Sequence, residues 1–164
     1  MASSLKNLSS YNPNEVPNGN GMRIGIVVAE WNFAITDSLR KAACDTLMQH
    51  GVNEADILVS YVPGTFELSL GAQHMIESHP VDAVITLGCV IQGETRHFDF
   101  ICQSVTDGVT RLNLKYSLPV VFGVLTTQNE EQALDRAGGK HGNKGVEAAV
   151  TALKMIKLMR TNQA

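Results

Sequence analysis

Apolar segments of strand length alternate with segments of helical periodicity along this chain, and this alternation constrains its fold more than any other feature. The predicted strands cover residues 22–29, 55–62, 83–91 and 119–125. The predicted helices cover residues 37–50, 66–79, 99–112, 129–137 and 145–160. Strands that are joined through helices pair in parallel by right-handed crossovers, which place helices on both faces of the sheet. We therefore expect an α/β protein, a three-layer α/β/α domain with a four-stranded parallel sheet.

The first strand and the first helix have clear local signals. Residues 22–29 are too apolar for a strand with one face in water, so this strand should be buried on both faces. Thr36 is predicted to be the N-cap of the first helix, with Asp37 in its first turn, and Gly51 should end that helix. Residues 30–35 would then be a loop that carries two aromatic side chains.

The composition fits one domain, predicted over residues 22–164. A net charge of -3 gives no basic surface of the kind that nucleic-acid binding requires. No apolar run reaches the roughly 20 residues of a membrane span, and no signal peptide is recognisable, so we expect a cytoplasmic protein. Cys44, Cys89 and Cys102 lie in apolar segments and should be buried free thiols. No metal-ligand spacing is present, so no metal site is expected.

Residues 1–21 form an arm that is rich in Ser, Asn, Gly and Pro. Its only charged side chains are Lys6 and Glu15. Such a segment cannot bury much apolar surface by itself. We expect it to be flexible, or to become ordered against a neighbouring subunit.

The carboxyl ends of the predicted strands carry the side chains of a candidate site. Ligands of open α/β sheets bind in the crevice beyond these ends. The third strand gives the clearest signal, because its apolar run leads directly into the polar segment from Gly93 to His97. The loops after the first, second and fourth strands contain Trp31-Asn32, Thr65-Phe66-Glu67 and Thr126 to Asn129.

Each of these side chains also has a structural explanation. Trp31 would cap the edge of the core, and Glu67 would favour the N-terminal turn of its helix through the helix dipole. His97 would be a helix N-terminal residue that is bonded to backbone. Convergence of several such groups is what favours a ligand site.

Residues 135–145 form a glycine-rich turn between two helices, with Arg136, Lys140, His141 and Lys144 as its basic or potentially basic side chains. Backbone amides and a guanidinium in such a turn suit an anion. A flexible turn with solvated lysines is the alternative. The turn lacks the spacing of a nucleotide phosphate loop, and no dinucleotide-binding glycine pattern follows the first strand.

Five ordered motifs resemble the 6,7-dimethyl-8-ribityllumazine synthase family over residues 22–158. They are Trp31-Asn32 with Ile35-Thr36, then residues 62–67, 86–98 and 119–126, and finally residues 136–138 with 142–145. Five motifs with matching separations are far more specific than one short pattern. The chain differs from many members at Gln92, where arginine is frequent, and at Trp31, where phenylalanine is frequent.

The resemblance implies a flavodoxin-like domain and a reaction. The reaction is the condensation of 5-amino-6-(D-ribitylamino)uracil with 3,4-dihydroxy-2-butanone 4-phosphate, with release of phosphate and two water molecules and without metal or organic cofactor. The pyrimidine and ribityl chain would be bound by Trp31, Asn32, Thr65, Phe66, Glu67, Val90, Ile91, Phe122 and Lys144. The phosphate would be bound by Glu94, Thr95 and Arg136. His97 would transfer protons, because an unperturbed imidazole pKa of about 6.5 suits both directions near neutrality.

The resemblance also implies self-association. Members form pentamers, and in some members the pentamers pack into an icosahedral capsid of 60 subunits. The turn at 138–142 is compact and has no insertion, as in the icosahedral members. The site lies between neighbouring subunits, so Phe122, Arg136 and Lys144 would reach the other loops across an interface. The arm would add a strand to a neighbour's sheet, and riboflavin synthase would be a partner.

The alternative is a non-catalytic flavin-binding or lumazine-binding protein, or a shell-forming protein, on the same fold. A binding protein would need neither His97 nor the basic turn, so the presence of both argues against it.

Overall fold

Four strands form one parallel sheet in the computed structural model, which describes residue 7 and residues 9–161. The strands are β1 (Ile24–Ala29), β2 (Ile57–Val62), β3 (Ala83–Ile91) and β4 (Val120–Thr127). Their order in the sheet is β2-β1-β3-β4, so β1 and β3 are central and β2 and β4 are edge strands. All three pairings are parallel, which confirms the predicted sheet.

Among the described residues, five α-helices cover the two faces of the sheet. They are α1 (Phe33–Gln49), α2 (Leu68–Ser78), α3 (His97–Tyr116), α4 (Glu130–Asp135) and α5 (Lys144–Thr161). One apolar core lies between the sheet and α1, α4 and α5. A second core lies on the opposite face, against α2 and α3. The three-layer architecture is therefore confirmed.

The two central strands are buried for a physical reason that the sequence shows. All six residues of β1 are buried, and so are the first seven of β3. Helices cover both faces of a parallel sheet, so its central strands need apolar side chains on both sides. Burial of β3 ends at Val90 and Ile91, where the strand reaches the edge that carries the candidate site.

The predicted start of the first helix is wrong. The helix begins at Phe33, and its N-cap is Asn32 instead of Thr36. Asn32 adopts the left-handed conformation, with φ 60° and ψ 42°, so the chain turns into the helix within three residues of β1. Thr36 is buried inside the helix, where its hydroxyl donates to the carbonyl of Phe33 at 3.4 Å.

The glycine-rich turn of residues 135–145, the basic turn, contains a short antiparallel hairpin that was not predicted. Its strands are β5 (Ala137–Gly139) and β6 (Gly142–Asn143). Gly138 and Gly142 have φ values of 113° and 84°, a region that favours glycine. This hairpin connects α4 to α5 and carries Lys140 and His141 at its tip, while Arg136 and Lys144 flank it.

The described part of residues 1–21 lies against its own chain. Val16 packs on the core beneath α1 and α5, and the Tyr11 hydroxyl lies 3.0 Å from Nε2 of His50. Residues 1–6 and 8 of the predicted arm lie outside the described residues. Across the part of the chain that is described, no helix is both long and apolar enough to cross a membrane.

Candidate active site

The loops after β1 and β2 meet over Gly64. The backbone N–H of Glu30 donates to the carbonyl of Val62 at 2.8 Å, and that of Trp31 donates to the carbonyl of Pro63 at 3.1 Å. A Cβ atom on Gly64 would lie 2.7 Å from Cε3 of Trp31 and 3.1 Å from Oε2 of Glu67. Gly64 therefore has no room for a side chain, because the indole ring and the carboxylate come together there.

Asn32 connects the same loop to β3. Its side-chain N–H donates to the carbonyl of Cys89 at 3.0 Å. Cys89 is buried, and burial raises the pKa of its thiol to about 11. The thiol is therefore protonated near neutral pH and is a poor nucleophile.

The segment after β2 presents one exposed ring and one carboxylate that lacks a partner. Thr65 is buried, and a Cβ on Gly88 of β3 would meet its hydroxyl at 2.8 Å. The Phe66 ring is 54% exposed, and Trp31 is 66% exposed. The Oε2 atom of Glu67 is buried and accepts no hydrogen bond from the described residues. Because an unsatisfied buried acceptor costs free energy, this oxygen is suited to a hydroxyl group from a ligand.

The end of β3 leads into an exposed loop and then into α3. The N–H of Gln92 donates to the carbonyl of Thr127 at 2.8 Å, which continues the pairing with β4. Residues 92–97 are exposed, and α3 begins at His97, whose N–H lies 3.4 Å from the Thr95 hydroxyl oxygen. The structure thus places Glu94, Thr95 and His97 at the carboxyl end of β3, as predicted.

Gln92 and Arg96 have local partners. The Gln92 amide donates to the carbonyl of Gly93 at 2.8 Å. The Arg96 guanidinium lies 3.5 Å from an Asp99 carboxylate oxygen and 5.9 Å from the Phe100 ring centroid. Both side chains therefore have partners within four residues in the sequence, which accounts for their presence without a ligand.

A second group of predicted residues surrounds Glu147 on the first turn of α5. Nη2 of Arg136 lies 2.5 Å from one Glu147 oxygen, and Nζ of Lys144 lies 3.1 Å from the other. Nη1 of Arg136 also donates to the carbonyl of His141 at 2.7 Å. Glu147 was not among the predicted site residues, although its position three residues after Lys144 on a helix was a usable signal.

Two cavities adjoin this second group. One, of about 380 Å³, is lined by Phe122, Lys144 and Glu147 together with neighbouring parts of β4 and α5. The other, of about 480 Å³, is lined by Thr127, Arg136 and Lys144 among others. Neither lining includes a described residue of the loops that follow β1, β2 and β3.

Within one chain, the predicted site residues therefore form two groups. The strand-end group comprises Trp31, Asn32, Thr65, Phe66, Glu67, Val90, Ile91, Glu94, Thr95 and His97. The basic group comprises Phe122, Arg136 and Lys144, joined by Glu147. Among the described residues, no cluster of three or more His, Cys, Asp and Glu side chains could hold a metal ion.

Comparison with known proteins identifies the family. A model of the 6,7-dimethyl-8-ribityllumazine synthase family matches residues 21–160. The 6,7-dimethyl-8-ribityllumazine synthase of Cytophaga hutchinsonii is 63% identical over 156 residues, which span 95% of this chain and 98% of that protein. The proteins of the same name from Porphyromonas gingivalis and Parabacteroides distasonis are 58% and 55% identical, over 98% and 95% of this chain and 99% and 98% of their own lengths. The chain belongs to the 6,7-dimethyl-8-ribityllumazine synthase family.

Proposed function

We propose that this protein condenses 5-amino-6-(D-ribitylamino)uracil with 3,4-dihydroxy-2-butanone 4-phosphate to give 6,7-dimethyl-8-ribityllumazine, the penultimate step of riboflavin biosynthesis. Its family membership supports this reaction. The observation that carries the proposal is the meeting of the Trp31 ring and the Glu67 carboxylate over Gly64, at the carboxyl edge of a parallel sheet. An aromatic face beside an unpartnered carboxylate oxygen suits a planar heterocycle that bears a polyhydroxylated chain.

The pyrimidine ring stacks on Trp31 and pairs with the backbone of Val90 and Ile91. On the side of β3 that faces β1, the paired register ends at Leu87, whereas on the other side it continues to Ile91. Backbone groups of β3 beyond Cys89 that point toward β1 therefore lack a strand partner. A uracil edge offers the donors and acceptors that such groups need.

The ribityl chain lies along Thr65, Phe66 and Glu67. Its hydroxyl groups supply the donor that Oε2 of Glu67 lacks, and hydrogen bonds to a carboxylate are stronger than bonds between neutral groups. The exposed Phe66 ring covers the carbon atoms of the chain.

The ketone phosphate is held by the loop that precedes α3 and by Arg136. Glu94 and Thr95 lie just before the N-terminus of α3, a helix of 20 residues, where the helix dipole favours an anion that their N–H groups can bind. The Arg136 guanidinium binds phosphate oxygens as a fork. Its present partner Glu147 keeps the guanidinium oriented until the phosphate arrives.

His97 transfers protons in three steps. The pyrimidine 5-amino group attacks the ketone carbonyl, and the adduct loses water to form an imine. Loss of a carbon-bound proton then expels phosphate and leaves an enol, which is protonated on carbon to give a ketone. The ribityl-bearing nitrogen attacks this ketone and closes the second ring with loss of another water. An exposed imidazole at the start of α3 can accept and donate protons in these steps.

Approximation of the two substrates supplies much of the rate. An amine and a ketone react without a catalyst, and a well-oriented pair can gain on the order of 7 kcal/mol or more. The site therefore depends on several binding groups and on a single proton-transfer group.

The basic group completes the site from a neighbouring subunit. Phe122, Arg136 and Lys144 adjoin cavities that the strand-end loops of the same chain do not line. A ring of subunits brings the basic group of one chain to the strand-end group of the next, and a pentamer is the proposed ring. Packing of such pentamers into a 60-subunit icosahedral particle, and strand addition by the arm, belong to the same proposal.

The proposed location is the cytoplasm, and the proposed partner is riboflavin synthase, which would consume the lumazine. Three free cysteines among the described residues fit a reducing compartment. Cell fractionation followed by co-purification would check both statements.

The reaction is tested by mixing the purified protein with both substrates and following the fluorescence of the lumazine product. We expect acceleration over the uncatalysed background, with phosphate released in equal amount. Reactions without protein, and with protein but only one substrate, are the controls. A rate equal to the background would overturn the proposed function.

A further inference from the structure

The loop between β1 and α1 is held on both sides by hydrogen bonds of different kinds. Toward β2, the bonds are made by backbone, from Glu30 to Val62 and from Trp31 to Pro63. Toward β3, the bond is made by a side chain, because the amide of Asn32 donates to the carbonyl of Cys89 at 3.0 Å. Among the hydrogen bonds of the described residues, it is the one that ties this loop to β3.

Asn32 has an uncommon backbone conformation and an uncommon use of its side chain. Its φ of 60° and ψ of 42° lie in the left-handed region, which asparagine tolerates better than most residues that carry a Cβ. Asn32 is the N-cap of α1, yet its side chain makes no capping hydrogen bond. Its carbonyl accepts from the N–H groups of Ile35 and Thr36 at 2.9 and 3.1 Å. The helix is therefore started by the Asn32 backbone, and the side chain is left to bond β3.

The bonded carbonyl lies directly before the backbone assigned to the pyrimidine. Cys89 precedes Val90, and the register between β1 and β3 ends two residues earlier, at Leu87. The Asn32 amide thus takes the place of the next strand pairing. Trp31, the residue before it, has a ring that is 66% exposed, so its own packing restrains it only in part.

We propose that Asn32 is a positioning residue, which sets the distance between the Trp31 ring and the backbone of Val90 and Ile91 through its hydrogen bond to Cys89. This inference rests on the proposed function for its consequence in catalysis. A stacked ring must meet the indole face and the strand edge at once, so a displaced Trp31 weakens the pyrimidine in particular. The ketone phosphate, which Glu94, Thr95 and Arg136 bind, keeps its affinity.

Two variants of Asn32 remove its hydrogen bond and still tolerate its left-handed backbone conformation. Asn32→Gly keeps the left-handed conformation and removes the amide, whereas Asn32→Asp keeps the size of the side chain but replaces the donor with a carboxylate. Ser117→Gly is the matched control, because Ser117 is the other described non-glycine residue with positive φ, at 47°. Ser117 follows α3 and precedes β4, so it lies at the amino ends of the strands, away from the candidate site.

Trp31 is the only tryptophan of the chain, so intrinsic fluorescence reports on its mobility without any substrate. We expect both Asn32 variants to show lower fluorescence anisotropy and faster quenching by iodide, with Ser117→Gly unchanged. We also expect the KM for the pyrimidine to rise about fivefold, which corresponds to one hydrogen bond between neutral groups, with the KM for the ketone phosphate unchanged. Anisotropy and quenching equal to wild type in both variants would overturn the inference.

Two further outcomes are decisive. A raised pyrimidine KM with unchanged Trp31 fluorescence would show direct contact between Asn32 and the substrate, which contradicts a positioning role. An inactive wild-type protein would overturn the proposed function, whereas the fluorescence comparison would still decide whether Asn32 holds Trp31. A urea unfolding curve for each variant confirms that the folded state is being compared.

Discussion

Glu147 joins the two cations of the basic group at the scale of single residues. Its side chain is 21% exposed, and those of Arg136 and Lys144 are 16% and 28% exposed. Two cations this close, without the carboxylate between them, would repel each other and lose their orientation. Glu147 therefore holds both cations in place, and in the proposed reaction it orients Arg136 for the phosphate.

We predict that Glu147→Ala lowers the free energy of unfolding by about 1–2 kcal/mol, less than for a fully buried ion pair because these side chains are partly solvated. The KM for the ketone phosphate should rise in the same variant, since Arg136 loses its orientation. Urea unfolding and steady-state kinetics measure the two effects, and Asp107→Ala, an exposed position on α3, is the control. An unchanged KM would show that Arg136 does not depend on Glu147.

His97 is the residue for which a partial loss of activity is informative. We predict that His97→Ala lowers kcat by at most on the order of 100-fold, the lower end of general acid–base catalysis, because approximation of the substrates persists. Stopped-flow fluorescence of lumazine formation measures the rate. Turnover equal to wild type would remove His97 from the mechanism, and a complete loss would mean that approximation contributes little.

Strand β3 and helix α1 show, at the scale of elements, where local sequence rules succeed and where they fail. Residues 83–91 were predicted as a strand and form β3 with the same bounds, because a buried strand has a clear apolar pattern. The start of α1 was predicted too late along the chain. The N-cap rule expects a side chain that caps the helix, whereas the side chain of Asn32 bonds β3 instead.

Gly145 sits where α5 crosses α1, and its need for space gives an element-scale prediction. A Cβ on Gly145 would overlap the backbone carbonyl of Leu39, which cannot move aside as a flexible side chain can. We expect Gly145→Ala to lower the free energy of unfolding by about 2 kcal/mol. Gly93→Ala is the control and should be near neutral, since a Cβ on Gly93 would have no atom within 4 Å. Equal urea midpoints for the two variants would contradict the close packing of the helices.

The first turns of α1 carry an ion-pair group with a pH signature. Hydrogen bonds from Lys41 and Arg40, at 2.8 and 2.7 Å, hold the pKa of Asp37 below its ordinary value of 3.8. A carboxyl whose folded pKa is lowered contributes stability above its unfolded pKa, and that stability is lost as the pH falls through the folded pKa.

We therefore expect Asp37→Asn to cost about 0.5 kcal/mol at pH 7, with the difference from wild type shrinking as the pH falls below 3.8. Urea unfolding across this pH range measures the difference. Asp45→Asn, at an exposed position of the same helix, is the control. A difference that persists unchanged at low pH would exclude the ion pairs as its cause.

At the scale of the whole molecule, the predicted site residues of one chain are divided between the strand-end group and the basic group. A site shared between subunits predicts complementation between two defective chains. Trp31→Ala damages the strand-end group, and Arg136→Ala damages the basic group, so each protein should lose most of its activity. After the two are unfolded and reassembled together, about a quarter of the shared sites should contain both intact halves.

The mixed assembly should therefore recover about a quarter of the wild-type rate. Each variant reassembled alone is the control, and light scattering verifies that mixed particles have formed with at least five chains. No recovery in a verified mixed assembly would show that both groups act within one chain. A shortened protein that lacks residues 1–10, the first part of the arm, is tested by the same mass measurement. An unchanged particle mass would count against an essential role of these residues in assembly.

Periodicity and turn chemistry are local, so the amino-acid sequence by itself determined the order of the four sheet strands and the five helices, the parallel sheet, the bounds of β3 and the loops that carry the candidate site. Only the tertiary structure decided which of those side chains meet. Asn32 and Cys89, which share a hydrogen bond, are 57 positions apart in the sequence. Trp31 is separated in the sequence from Gly64 and Glu67, beside which it lies, by the whole of α1. Distances of this kind depend on how the sheet twists and how the helices pack on it, and no local pattern of residues encodes them.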